Sequence, residues 1–246
     1  MYGKHAVITG GANGIGRRIA HTFLDAGALV TVIDIDEKGR SNFTHNNYTF
    51  FQGNIAEKTT LEEFVASLQK PVDCLVNNAF ASKRGLVSGC SWEDFGHVQQ
   101  VCVTAPYYLT HLLLQSSKLA HEASIVNIAS TRGFQSQKDT ESYSAAKGGI
   151  IALTHAMSVS LAGKARVNAI SPGWIETREN GGELHSNADK TQHPAGRVGT
   201  PDDIAQMTLF LCDNTKSGFI TGENIIIDGG MSRQMIYHGD CGWKLE

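Results

Sequence analysis

Tyr143 and Lys147 stand four apart in Tyr-Ser-Ala-Ala-Lys, and residues 148–155 continue with helical spacing. On a helix the phenol and the ammonium then share one face. A free phenol has a pKa of about 10 and is a poor proton donor or acceptor near neutrality. A fixed ammonium beside it favours the phenolate, which makes such a phenol a usable general acid or base. Most Tyr-x-x-x-Lys pairs are only solvated helix faces. The chemistry therefore requires a hydroxyl partner and a cofactor site elsewhere in the chain.

The first thirty-four residues are laid out for that cofactor. Residues 5–9 form a short apolar run, and Gly10-Gly-Ala-Asn-Gly-Ile-Gly16 follows at once, carrying Asn13, Gly14 and Ile15. Residues 17–26 have helical spacing, with Ile19, Ala20, Phe23 and Leu24 on one side, and residues 29–33 form a β-rich run ending in Asp34. Strand, glycine-rich turn, helix, strand and acid make a mononucleotide-binding βαβ unit. Gly10 permits the turn out of the strand, Gly14 the approach of a pyrophosphate, and Gly16 close helix–sheet packing. The helix N-terminus directs free N–H groups at the phosphates. No Gly-Lys-Ser/Thr follows, which argues against a P-loop. Asp34, 18 residues past Gly16, can accept hydrogen bonds from an adenosine ribose and repels a 2′-phosphate, which favours NAD. Arg17, Arg18, Lys38 and Arg40 keep NADP open as the alternative.

Further strands are expected at 48–52, 72–76, 124–129, 166–170 and 223–227. Helices are expected at 57–69, 92–118 (N-cap Ser91), 142–161, and from Pro201 with Thr200 as N-cap. Strands alternate with helices throughout, which implies an α/β fold: a parallel sheet of about seven strands covered on both faces. No composition break divides the chain, so residues 1–246 are expected to form one domain. The strand ends carry the polar residues. Asn77-Asn78-Ala79 follows the fourth strand, Ser130 the fifth, and Ser171-Pro172-Gly173 the sixth.

Composition excludes several classes. At 246 residues, with 41 % hydrophobic and 18 % charged residues, the chain is globular in type. A formal net charge of −3 gives no case for nucleic acid. Five scattered cysteines without a Cys-x-x-Cys pair argue against a disulfide framework or a metal site and for a reducing, cytoplasmic setting. No apolar run approaches the length of a membrane helix, and the first strand begins too early for a signal peptide.

Thr9-Gly10-x-x-x-Gly14-x-Gly16, Asn77-Asn78-Ala79, Ser130, Tyr143-x-x-x-Lys147 and Pro172-Gly173 occur in this order. Together they resemble the short-chain dehydrogenase/reductase family over residues 3–230. The resemblance implies a Rossmann-type doubly wound sheet and hydride transfer between NAD(H) and a secondary alcohol or ketone. In that pattern Tyr143 moves the proton, Lys147 holds the nicotinamide ribose, and Ser130 positions the substrate oxygen. Asp34 binds the adenosine ribose, and Asn54 and Ile55 lie toward the adenine. Asn78 and Ala79 line the channel, and Ile175 and Thr177, past Pro172 and Gly173, meet the carboxamide and phosphate end. A homodimer or homotetramer is also implied.

Three positions depart from the pattern. Cys102 stands where the family usually has the Asn of a proton relay, and a thiol cannot copy an amide. A dinucleotide-binding protein with weak or no dehydrogenase activity is therefore a second reading. Phe80 replaces a usual Gly, and Asn54 a usual Asp. Residues 178–199 correspond to the family's substrate lid; its His185 and His193 are expected to be solvated. Residues 231–246 form a tail in which Ile236, Tyr237 and Trp243 are candidates for packing on a neighbouring subunit.

Overall fold

The computed structural model describes residues 1–178 and 181–235, with the backbone path alone at 182 and 183. The proposed roles of Ile236, Tyr237 and Trp243 therefore lie outside the described residues. Seven parallel strands form one sheet in the order β3-β2-β1-β4-β5-β6-β7. They are β1 (His5–Thr9), β2 (Leu29–Asp34), β3 (Tyr48–Gln52), β4 (Val72–Asn77), β5 (Leu119–Ile128), β6 (Ala165–Pro172) and β7 (Asn224–Ile227).

The period-two alternation of each strand feeds two cores. Val7 and Leu75 point into one, with Phe64 of α2 (Lys58–Ser67), Leu109 of α4 (Ala105–Gln115) and Ala146 of α5 (Glu141–Ser160). Ala6, Ile8 and Val76 point into the other, with Phe23 of α1 (Gly14–Asp25) and Ile204 of α7 (Pro201–Cys212). Helices thus cover both faces, and the strands are nearly continuous apolar runs, as a doubly covered parallel sheet requires. The strand order reverses between β1 and β4, where Thr9 is in register with Asn77. A crevice opens beyond the strand ends at such a switch point.

Two elements differ from the sequence expectation. The long helix expected at 92–118 is α3 (Trp92–Gln99), a π-helical turn (Gln100–Thr104) and α4. Pro106 explains the change: a proline ring collides with the carbonyl four residues back in an α-helix, here that of Cys102, and a wider turn removes the collision. The fifth strand starts at Leu119, earlier than expected, because the break in its apolar pattern at His121 and Glu122 is an irregularity within the strand: Leu119 pairs with Val72, the register shifts with Glu122 at φ +58°, and pairing resumes at Ser124 with Cys74. Ser91 caps α3 by accepting the Asp94 N–H at 3.0 Å. The Asp203 carboxylate accepts from Thr200 N–H at 2.7 Å and closes the start of α7. No helix among the described residues is long and apolar enough to cross a membrane.

Candidate active site

The glycine loop is shaped by what a side chain would strike. Gly10 has φ +69°, a conformation L-residues avoid, and a Cβ there would lie 2.7 Å from Ala79 Cα. A Cβ on Gly16 would lie 2.1 Å from the Gly10 carbonyl oxygen and 2.4 Å from Asn78 Nδ2. The loop can therefore close onto the β4 end only as glycine. Asn78 seals this junction, donating to Thr9 O at 3.1 Å and Gly10 O at 2.7 Å.

Asp34, at the end of β2, has one carboxylate oxygen on Ala12 N–H at 2.8 Å and the other on Asp36 N–H at 2.9 Å. Each oxygen retains lone-pair capacity, so the carboxylate braces the loop and can still accept a hydroxyl. Asp36 in turn accepts from Asn13 Nδ2 at 2.9 Å, which holds its carboxyl below the usual carboxylate range.

A cavity of about 860 Å³ runs along these strand ends. Its walls include Gly10, Asn13, Gly14, Ile15, Gly16 and Asp34 on one side, and Asn54 and Ile55 at the β3 end. Asn78 and Ala79 line its middle, Ser130, Tyr143 and Lys147 its far end, and Pro172, Gly173, Ile175 and Thr177 its remaining wall. The chain brings all of these together from seven separate segments. Cys102 is not among them. Its buried thiol lies 3.4 Å from Ala81 N and 3.6 Å from Ala81 O, within hydrogen-bond reach of both groups.

Lys147 is 3 % exposed, and its ammonium donates to Ile128 O at 2.7 Å. A buried ammonium has three donors, and among the described residues this single carbonyl is its only hydrogen-bond partner. Such a cation is costly unless further acceptors reach it. The same Nζ lies 5.5 Å from the Tyr143 ring centre. Ser130, at the end of β5, accepts Arg132 N–H at 3.2 Å and opens a short 3₁₀ turn (Thr131–Gly133) packed on α5. Gly133 allows that contact, since a Cβ there would lie 2.9 Å from Lys147 O. The Phe80 and Tyr143 rings meet edge to face, with 6.3 Å between centres.

The lid histidines are not solvated, contrary to expectation. The His185 side chain is 7 % exposed and lies 3.0 Å from Glu176. His193 is 2 % exposed, with Nδ1 3.0 Å from Asp189 O and Nε2 buried without a partner. Trp174 explains their burial, with ring centres 5.3 Å from His185 and 6.2 Å from His193. Bonds from Arg178 and His185 hold the Glu176 carboxyl well below the usual carboxylate range. The expected irregular stretch also contains a helix, α6 (Asn187–Thr191), capped by Ser186 and Asp189. Sequence reasoning also passed over Arg132, which has no spacing signature, and His97 and Val101, which line the cavity from the helix before Cys102.

A family model described as enoyl-(acyl carrier protein) reductase matches residues 10–232. The chain belongs to the short-chain dehydrogenase/reductase family. This short-chain dehydrogenase is 42 % identical to an uncharacterized oxidoreductase of Thermotoga maritima, over 96 % of this chain and 99 % of that one. It is 31 % identical to the 3-oxoacyl-(acyl-carrier-protein) reductase FabG of Chlamydia pneumoniae, over 94 % and 98 %. Among solved structures, an apo SCOR enzyme from Clostridium thermocellum is 44 % identical and superposes with a TM-score of 0.89, covering 100 % of this chain and 99 % of that one. The short-chain dehydrogenase is accordingly an oxidoreductase with a Rossmann nucleotide-binding fold that uses NAD(P).

Proposed function

We propose that the protein transfers a hydride between NAD(H) and a secondary alcohol or ketone, with Tyr143 as general acid and base. The observation that carries this reading is the single cavity that runs from the glycine loop to Ser130, Tyr143 and Lys147. The residues fit a dinucleotide: the loop closes tightly enough to leave no room for a Cβ at Gly10 or Gly16, and the buried Lys147 ammonium has donors to spare. When bound, the nicotinamide supplies or accepts the hydride.

The chain's own residues do the rest. Ser130 offers its hydroxyl to the substrate oxygen and limits its position. Tyr143 gives a proton to that oxygen in reduction and takes one in oxidation. The Lys147 ammonium favours the phenolate form and donates to ribose hydroxyls. Asp34 accepts from the adenosine ribose.

The reading includes NAD over NADP. Two carboxylates support this: Asp34 at the end of β2 and Asp36 beyond it, held by the Ala12 N–H and the Asn13 amide, would repel a 2′-phosphate brought to the β2 end. Of the four candidate cations, Arg18 is paired with Asp202 at 2.7 Å and Arg40 lies over the Phe50 ring. Paired titrations with NADH and NADPH test this; tighter NADPH binding would reverse it. One observation favours the second reading, weak turnover: the Cys102 sulfur is committed to the Ala81 backbone and does not reach the cavity. Turnover of any substrate in a panel of alcohols and ketones, lost in Tyr143→Phe with NADH binding kept, supports the first reading. A Phe variant as active as the parent would remove Tyr143 from its role.

A further inference from the structure

We propose that Arg132 reads a carboxylate on the substrate, so that the reacting ketone or alcohol is part of an oxo acid or hydroxy acid. The inference rests on the oxidoreductase reading above and extends it to substrate class.

Arg132 is the second residue after Ser130, and its Cζ lies 5.8 Å from the Tyr143 ring centre. It is firmly mounted. Its own N–H is held by Ser130 Oγ, Thr131 before it is buried, and Gly133 after it packs against the α5 backbone. The guanidinium lies just outside the walls of the long cavity, beside Tyr143 at its far end, and so away from the glycine loop that would take the pyrophosphate. Among the described residues it has no carboxylate partner, and its one side-chain hydrogen bond there runs from Nη2 to the neutral Gln137 amide oxygen. The acids nearest in sequence are engaged elsewhere. Asp139 accepts the N–H groups of Val87 and Ser88, at 2.9 and 3.1 Å, and Glu141 accepts that of Leu86 at 3.1 Å.

A rigid fork of N–H donors without an anion suits a planar carboxylate, which it can meet with two parallel bonds. A substrate oxygen held by Tyr143 brings a carboxylate one to three bonds further along the chain toward that fork. Phe80, 65 % exposed and set nearly perpendicular to the Tyr143 ring, supplies an apolar wall for the other substituent. An ordinary solvated arginine would make no distinction between an acid and its ester, which makes the inference testable.

The experiment compares pyruvate, acetoacetate and levulinate with their ethyl esters, and includes cyclohexanone and the thioester acetoacetyl-N-acetylcysteamine, all with NADH and with NADPH. The expected result is that the best acid exceeds its ester at least tenfold in kcat/KM. Arg132→Gln then raises KM for that acid about 10–100-fold, the range of a lost charge-assisted hydrogen bond, with kcat and the ester's constants little changed. Arg132→Lys restores part of the loss, and added salt weakens the acid more than the ester. Equal use of acids and esters overturns the proposal, as does turnover of cyclohexanone or the thioester alone. So does an Arg132→Gln variant that loses acid and ester activity equally. No turnover of any compound with either cofactor would instead overturn the oxidoreductase reading itself.

Discussion

The two ends of the long cavity are built on different terms. At the nucleotide end the polar side chains are braced by the protein's own backbone: Asp34 by two N–H groups and Asn78 by two carbonyls. At the substrate end Phe80 lines the cavity with its ring 65 % exposed, and Arg132 stands beside Tyr143 just outside that wall with no charged partner among the described residues. A braced set of donors and acceptors suits a ligand that never changes. An open aromatic wall with a cation beside it suits a ligand that differs from one relative to the next, since loops on a fixed scaffold carry specificity.

This contrast can be broken deliberately. Tyr143→Phe sits at the junction and should have the largest effect, a fall in turnover of about 10²–10⁴-fold with NADH affinity intact, seen by steady-state kinetics and fluorescence titration. Gly16→Ala attacks the braced end. The new methyl meets a backbone oxygen, so the loop must shift, at about 1–3 kcal/mol of stability. Both the urea midpoint and NADH affinity should drop; an unchanged affinity would mean that the cradle is looser than its contacts imply.

Cys102→Asn probes the seam between the ends, because Cys102 holds Ala81 beside Phe80. If the thiol limits a proton relay, the amide should raise turnover by a few-fold, roughly the effect of one ordinary hydrogen bond. No change would leave Cys102 as an anchor for the Phe80 loop. The smallest effect is a pH dependence of stability at His5, which opens β1 at the opposite ends of the strands from the cavity and leaves both of its ends untouched. Burial lowers the His5 pKa against the opposing pull of two backbone carbonyls. The unfolded chain therefore binds this proton more readily, so the His5 contribution is complete above about pH 6.5 and declines as the pH falls below it. Urea midpoints at pH 7.5 and 5.5 should differ, and His5→Gln should narrow the difference.

The legibility of the sequence follows the same division. The glycine loop, Asp34, Asn78 and the β-strands were legible because backbone geometry restricts them to a few residue types at set spacing. Tyr143 and Lys147 were legible as a helical pair. Arg132 was not, since an arginine in a short turn looks like any surface cation until its neighbours are placed. The burial of His185 and His193 was hidden because Trp174, which covers them, is a loop residue with no periodic pattern. The π-helical turn had a signal, Pro106, but its effect depends on relaxation of the helix around it.

That turn has a consequence for how the chain tolerates changes of length. Deleting one residue between Gln100 and Thr104 would allow α-helical bonding to run through. The π-turn uses one more residue than an α-turn over nearly the same rotation and rise, so α3 and α4 would keep their facing and Val98 its place in the core. Only the turn's own residues would change facing, and with them the Cys102 sulfur against Ala81: the segment can lose one residue without losing its packing, and the cost would fall on the site side of the helix.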